Sequence, residues 1–279
     1  WGGPAHSGPQ ILPAALTCFF PMSSESNSDT SSDDVASDLV RVMDQAPNYT
    51  AFITGASRGI GLEILRQLLR RHPDGRFVAT CRKPPAATDL QALAAESGGR
   101  VRVVALELAD EASISAAADR SGEFVDELQL VLNAGGFLHR SGQMPERRLA
   151  DVAGANLLAS FAVNAAGPLL VAKYFQRFLP RRDRAVFASL SARVGSIGDN
   201  RLGGWYAYRG SKAAQNMFTR CLSVELVRRH RGLICVALHP GTVDTELSRP
   251  FQARVAEEQL FTVKRAAAQL LDVIAGLAP

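Results

Sequence analysis

From residue 48 to the end of the chain, short apolar runs rich in β-formers alternate with amphipathic stretches of helical period. "YTAFITG" is a run of strand length ending in glycine. "LEILRQLLRR" places Leu62, Leu65, Leu68 and Leu69 on one helical face. "HPDG" then reads as a turn and "RFVATCR" as a second strand. The alternation continues through "ATDLQALAAES", "RVRVVALEL", "ASISAAADRSGEFVDEL", "LQLVLNAG", "LASFAVNAAGPLLVAKYFQRFL" and "RAVFASLS". It closes with "YAYRGSKAAQNMFTRCLSVELVRR", "LICVALHPG" and a last helix, "TVKRAAAQLLDVIAGL". Strands that read as continuous apolar runs are buried on both faces, and a helix between successive strands makes them parallel. The pattern therefore predicts an α/β fold: a single doubly wound parallel sheet of six strands, the Rossmann fold, with helices on both faces over residues 48–279.

A chain of 279 residues that is 47% apolar is long enough for one large core, which agrees with one domain. Residues 1–21 carry no Asp, Glu, Lys or Arg. Residues 22–45 hold six acids against one arginine and begin with the Ser/Asp-rich run "MSSESNSDTSSDDVASD", so residues 1–47 are expected to be a disordered extension. Of the 31 basic and 27 acidic residues in the chain, 30 and 21 lie elsewhere, a balance suited to an anionic ligand. No run of Lys and Arg interleaved with aromatics supports nucleic-acid binding. Cys18, Cys81, Cys221 and Cys235 are far apart, with no CxxC and no Cys/His cluster of metal-ligand spacing. They read as reduced thiols, and a cytoplasmic location is expected with no metal. No apolar stretch is read as approaching the ~20 residues of a membrane span. "ILPAALTCFF" lacks the basic flank of a secretory signal, although a chain beginning at Trp1 leaves organellar targeting open.

"ITGASRGIGLEIL" follows the first strand directly and opens the first helix. Its Gly55, Gly59 and Gly61 have the spacing GxxxGxG. Glycines here permit a tight turn and let backbone approach a pyrophosphate at the helix N-terminus. Cofactor contacts are accordingly expected at Gly55, Ser57, Arg58, Gly59, Ile60 and Gly61. NAD-binding folds usually carry an acid at the end of the second strand, where it holds the ribose 2′-hydroxyl. This chain has "ATCRKP", with Arg82 and Lys83 there and Arg58 nearby, so NADP(H) is expected over NAD(H).

Tyr208 and Lys212 in "YAYRGSK" stand one helical turn apart on one face. A phenol with pKa about 10 is a poor proton-transfer group at neutral pH, and a neighbouring ammonium would lower it. Upstream, "VFASLSARVG" ends a strand with Ser189 and Ser191, "VLNAGG" ends the fourth strand, and Asn164 lies in "AVNAAGPLL". Downstream, Pro240 and Gly241 shape the loop "HPGTVDTELSRP", which offers Thr242 and Thr245. The loop "SRPFQARVAEEQLF" holds Phe251 and Phe261, suited either to an apolar lid or to core packing.

With "TGASRGIG", "NAG", "VN", "YRGSK" and "HPGTVDT" in order, the chain resembles the short-chain dehydrogenases/reductases over residues 48–279. "SARVGSIGDN" followed by "GGWYAYRGSK" is similar to the C-factor- and sniffer-like carbonyl reductases. The resemblance implies hydride transfer between NADP(H) and a small or aromatic carbonyl or alcohol substrate. Tyr208 would give a proton to the carbonyl oxygen, Lys212 would lower the tyrosine pKa and bind the nicotinamide ribose, Ser191 or Ser189 would hold the carbonyl oxygen, and Asn164 would fix a water that relays protons through Lys212. It also implies cofactor contacts at Arg82, Leu108, Asn133, Ala134, Gly135, Tyr208, Lys212, Pro240, Gly241, Val243 and Thr245, with Asp110 as a further adenine contact. Three departures stand out. The Ser191-to-Tyr208 spacing is longer than the family's usual one, "LELAD" replaces an aspartate with Glu107, and no short final strand follows the last helix, as though the C-terminus were truncated. The family's usual dimer face implies a homodimer. A dinucleotide-binding signalling or scaffold protein without turnover is the alternative, and a sugar-nucleotide epimerase is disfavoured by the glycine spacing.

Overall fold

The computed structural model describes residues 48–140 and 142–279, so the extension expected over residues 1–47 lies outside the described residues. Six strands form the main sheet: β1 (Thr50–Thr54), β2 (Arg76–Cys81), β3 (Val101–Ala105), β4 (Leu130–Asn133), β5 (Ala185–Leu190) and β6 (Leu233–Leu238). Their order is β3-β2-β1-β4-β5-β6 and every pairing is parallel. Between them run α1 (Gly59–Arg71), α2 (Thr88–Glu96), α3 (Glu111–Gly122), α4 (Gly154–Phe161), α5 (Gly167–Phe175) and α6 (Tyr206–Leu226), with α7 (Val263–Gly276) last. This is a Rossmann-like doubly wound fold.

Two apolar layers sandwich the sheet, as the unbroken strand runs require. On one face, Ala51 and Ile53 pack with Leu65 and Leu68 of α1 and with Leu270, Leu271 and Ile274 of α7. On the other, Phe52 and Phe187 pack with Ile114 of α3, Phe175 of α5 and Leu226 of α6. The Phe52 and Phe175 rings lie 3.9 Å apart, centroid to centroid. Truncating a fully buried phenylalanine of this kind costs about 3–5 kcal/mol.

The strand order reverses between β1 and β4, where Thr54 and Asn133 sit in register. Diverging connections leave a crevice at the carboxyl ends of these strands, the place where such sheets bind ligands. Beyond β6 the chain forms a small parallel pair, β7 (Thr242–Val243) with β8 (Leu260–Phe261), and the intervening residues, the candidate lid, carry a 3₁₀ turn at Arg249–Arg254. Among the described residues no seventh strand joins the main sheet.

Three expectations are corrected. The helix read through "EFVDEL" stops at Gly122. The long helix containing Asn164 is interrupted by a π turn at Ala162–Ala166 between α4 and α5. Continuous through that turn, the helical run Gly154–Phe178 has 25 residues, so by length and composition one helix among the described residues is apolar enough to cross a membrane, contrary to the sequence reading. Its inner residues, Val171, Ala172 and Phe175, are in the core of the sheet layer, which accounts for part of that apolar character.

Candidate active site

The glycine loop is built by steric necessity. Gly55 has φ +68°, and a Cβ there would lie 2.7 Å from the Gly135 Cα. A Cβ on Gly61 would lie 2.5 Å from the Gly55 carbonyl oxygen. Gly59 needs its left-handed φ of +56°, yet a Cβ there would meet only Thr245 Cγ2, at 3.6 Å. The loop therefore packs tightly against the β4 end and leaves room towards Thr245. Arg58 precedes α1 without a side-chain cap, and the first turn of α1 holds no acid. Its free N–H groups and dipole suit an anion. Ser57 is half-buried in the loop, while Ile60 packs against Val243, Phe261 and Ala266.

The cations are not equivalent. Arg82 and Lys83 are exposed, and no carboxylate pairs with either among the described residues. Arg58 instead donates to Glu246 of the lid, at 2.7 Å. Both partners are largely exposed, so this pair is worth little and yields readily to a competing anion. At the β4 end, Asn133 donates to Ser189 at 3.2 Å while its own Oδ1 is buried without a partner. The Gly135 amide donates to Thr54 Oγ1 at 3.3 Å. A glycine cradle, an uncapped helix start, free cations and an orphaned amide oxygen fit a phosphorylated dinucleotide.

Tyr208 and Lys212 are both buried on the inner face of α6, at 8% and 3% exposure. Lys212 Nζ donates to the Leu190 carbonyl at 2.7 Å and to Gln215 Oε1 at 2.8 Å, and it lies 5.8 Å from the Tyr208 ring centroid. Burial raises the tyrosine from its ordinary 10.0 to about 12 and lowers the lysine from 10.5 to about 7. The expected lowering of the tyrosine by the ammonium is thus not a property of the protein groups alone. Desolvation dominates both.

Ser191 Oγ donates to Asn216 Oδ1 at 2.7 Å, beside the β5 end. Ser189 is buried in the sheet and accepts from Asn133, which makes it a strand-to-strand tie. The π turn carries Asn164 inward. Its Oδ1 accepts from the Phe137 amide at 2.7 Å, and its Nδ2 donates to the Phe137 carbonyl at 2.7 Å and to Ser211 Oγ at 3.0 Å. Ser211 in turn donates to the Tyr208 carbonyl at 2.9 Å. Asn164 is therefore coupled to α6 through Ser211, and Lys212 makes no direct bond to it.

Several expected cofactor residues have other duties. Asp110 caps α3 by accepting from the Ala112 amide at 3.0 Å, so its carboxylate is engaged locally. Leu108 buries its side chain between Gly135 and Gly167. Val243 is buried with Phe261, and a Cβ on Gly241 would lie 2.8 Å from the Phe261 ring. At Leu108 and Val243 only backbone is left to face a ligand. Pro240, Gly241, Ala134 and Thr245 all stand at the crevice rim, half-buried. Phe261 is core, whereas Phe251 belongs to the lid.

Sequence reading missed Ser211, Gln215 and Asn216. The signal was present: they lie one, three and four residues from Lys212, so a buried helical face carries an unusual run of polar side chains. It also missed Glu146, 3% exposed, whose carboxylate accepts from the Ala207 amide at 3.2 Å at the start of α6. That contact spans 61 residues and has no local signature.

The chain matches the family model for short chain dehydrogenases over residues 49–256. An uncharacterised oxidoreductase of Schizosaccharomyces pombe is 34% identical over 202 residues, 72% of this chain and 76% of the relative. The NADPH-bound carbonyl reductase from chicken fatty liver superposes with TM-score 0.73 at 32% identity, over 84% of this chain and 93% of that one. The carbonyl reductase Sniffer of D. melanogaster superposes with TM-score 0.71 at 27% identity, over 83% and 93%.

Proposed function

As the chain belongs to the short-chain dehydrogenase family, with carbonyl-reductase-like relatives, we propose that it is an NADP(H)-dependent oxidoreductase. It transfers a hydride between nicotinamide and a small or aromatic carbonyl or alcohol substrate, with Tyr208 as the general acid/base. The observation that carries this reading is the placement of Tyr208 and Lys212. They are buried on one face of α6, tied to the β5 end through Leu190 and to Asn164 through Ser211.

The glycine loop at Gly55, Gly59 and Gly61 would hold the pyrophosphate, together with Ser57 and the α1 N-terminus. Arg82 and Lys83, joined by Arg58 once it leaves Glu246, would hold a 2′-phosphate, which favours NADP(H) over NAD(H). Asn133, Ala134, Gly135, Pro240, Gly241 and Thr245 would line the remainder, with the backbone of Leu108 and Val243. When bound, the dinucleotide supplies the hydride. Tyr208, held protonated by burial, gives its proton to the substrate carbonyl oxygen, so the C=O becomes a CH–OH. Ser191 turns from Asn216 to donate to the same oxygen. Lys212, poised near neutrality, returns a proton towards the tyrosine. Asn164 ties the π turn to α6 through Ser211 and to the loop after β4 through Phe137. The exposed apolar residues of α4 and α6 form a face for a second copy of the chain.

The test is NADPH oxidation against aldehydes, ketones and dicarbonyls, with Tyr208→Phe run in parallel. Turnover that drops at least a hundredfold in the variant, with NADPH still bound, is expected. Binding without turnover on any substrate would instead favour the signalling or scaffold reading.

A further inference from the structure

Immediately before α6 the chain makes three consecutive left-handed residues: Gly203 at φ +64°, Gly204 at +64° and Trp205 at +52°. Glycines adopt this conformation freely, but a bulky residue there is a true outlier that the surroundings must enforce. They do. The Trp205 amide donates to the Glu146 carbonyl at 2.6 Å, the Trp205 carbonyl accepts from the Arg209 amide at 2.8 Å, and the buried Glu146 carboxylate takes the Ala207 amide at 3.2 Å. A Cβ on Gly204 would lie 3.2 Å from the same Glu146 carbonyl, so the turn is pressed against that loop. A third glycine would make the turn without strain. Tryptophan stands there instead, and backbone held in a disfavoured state points to a function for the side chain.

The indole has a definite setting. It meets the Tyr208 ring edge-on at 6.2 Å and the lid's Phe251 at 4.8 Å. Phe251 meets His139 at 5.7 Å. His139 lies in the loop after β4, and its Nε2 is bonded to the lid carbonyls of Glu246, at 3.3 Å, and Leu247, at 3.1 Å. Three aromatic rings from three segments thus make one wall that begins at the proposed proton donor. All three are half-buried, so the wall is partly open.

We propose that Trp205 is the specificity-determining residue of this site, selecting flat aromatic aldehydes and ketones by ring packing while their carbonyl oxygen addresses Tyr208. The proposal rests on the reading of Tyr208 as proton donor. Aromatic pairs prefer tilted and edge-to-face contacts of the kind already present between Trp205, Phe251 and Tyr208, and such a contact discriminates by about tenfold.

The experiment compares kcat/KM for benzaldehyde with that for butanal in the full chain, in Trp205→Gly and in Trp205→Phe. The aromatic-to-aliphatic ratio falls about tenfold or more in W205G, holds within about threefold in W205F, and W205G unfolds no earlier on heating than the parent. A ratio unchanged in W205G overturns the proposal and leaves the tryptophan a helix-start residue only. Early unfolding of W205G with an unchanged ratio does the same. Turnover is not the only readout. Trp1 and Trp205 are the chain's two tryptophans, so W1F leaves Trp205 as the sole indole fluorophore. Saturable quenching by benzyl alcohol and not by butanol supports the wall even if the chain reduces nothing, in which case the oxidoreductase reading fails alone. Absence of both quenching and an aromatic preference removes the proposal.

Discussion

Desolvation acts in opposite directions on the two ionisable side chains of α6, and the consequence is measurable without any cofactor. Lys212 titrates near 7 in the folded chain and near its ordinary 10.5 in the unfolded one. Between those values the unfolded chain binds a proton that the folded chain lacks, so stability climbs as pH rises from about 7. Below about 7 both states are protonated and the penalty is constant. Tyr208 works against the climb only above its ordinary 10.0, where the unfolded chain loses a proton that the folded chain keeps up to about 12. Melting temperatures of the cofactor-free protein taken from pH 7 to 9.5 should therefore rise, and Lys212→Met should flatten that slope while abolishing turnover. Parallel slopes for parent and variant would mean that the lysine is charged in the folded state. The Tyr208/Lys212 pair itself was legible in the sequence because one helical turn separates its members. Its energetics were not. Spacing alone suggests an ammonium lowering a phenol, whereas depth of burial, a product of the whole fold, moves the phenol the other way.

At the scale of elements, the junction of β1 and α1 concentrates the steric demands. A Cβ on Gly61 would sit 2.5 Å from the Gly55 carbonyl oxygen and 3.3 Å from the Ala134 Cβ, and the first of these is backbone that cannot step aside cheaply. Gly61→Ala should destabilise the chain by about 1–3 kcal/mol and weaken NADPH binding, read by chemical denaturation and by fluorescence titration. Gly210 provides the contrast. It is an exposed interior residue of α6 with open space where a Cβ would go, so Gly210→Ala should stabilise by about 0.5–1 kcal/mol and leave binding unchanged. Equal losses in the two variants would refute the packing account. The helices were legible because each repeats its period several times, and the strands because each is an unbroken apolar run bounded by turn residues. The π turn at Ala162–Ala166 was not, since a single wide turn shifts an apolar pattern too little to be seen in "SFAVNAAGPLL". The left-handed entry to α6 was half visible: the glycine pair marks a turn, but nothing local announces that Trp205 shares its conformation.

For the molecule as a whole, the fold followed from strands that are apolar throughout, because only a sheet covered on both faces hides such strands. The same reasoning extends to the helical run from Gly154 to Phe178. A helix apolar on all sides is one that is covered on all sides. The sheet covers Val171, Ala172 and Phe175, but Leu157, Leu158 and Phe161 on α4 remain exposed, and Met217 and Val224 on α6 lie exposed as well. Phe161 and Phe218 meet edge-on between the two helices, which joins these residues into one face. A second copy packing α4 and α6 against its own α4 and α6 would cover that face by a twofold axis, and this isologous arrangement closes without leaving a sticky edge. Leu158 is 73% exposed, so replacing it disturbs little of the chain's own core. Leu158→Asp combined with Phe161→Asp should convert a dimer to a monomer in light scattering behind size exclusion, with the far-ultraviolet circular dichroism unchanged. A parent protein that runs as a monomer at micromolar concentration would remove the second copy as the cover, and enrichment of that monomer on lipid vesicles would assign the face to a membrane surface instead.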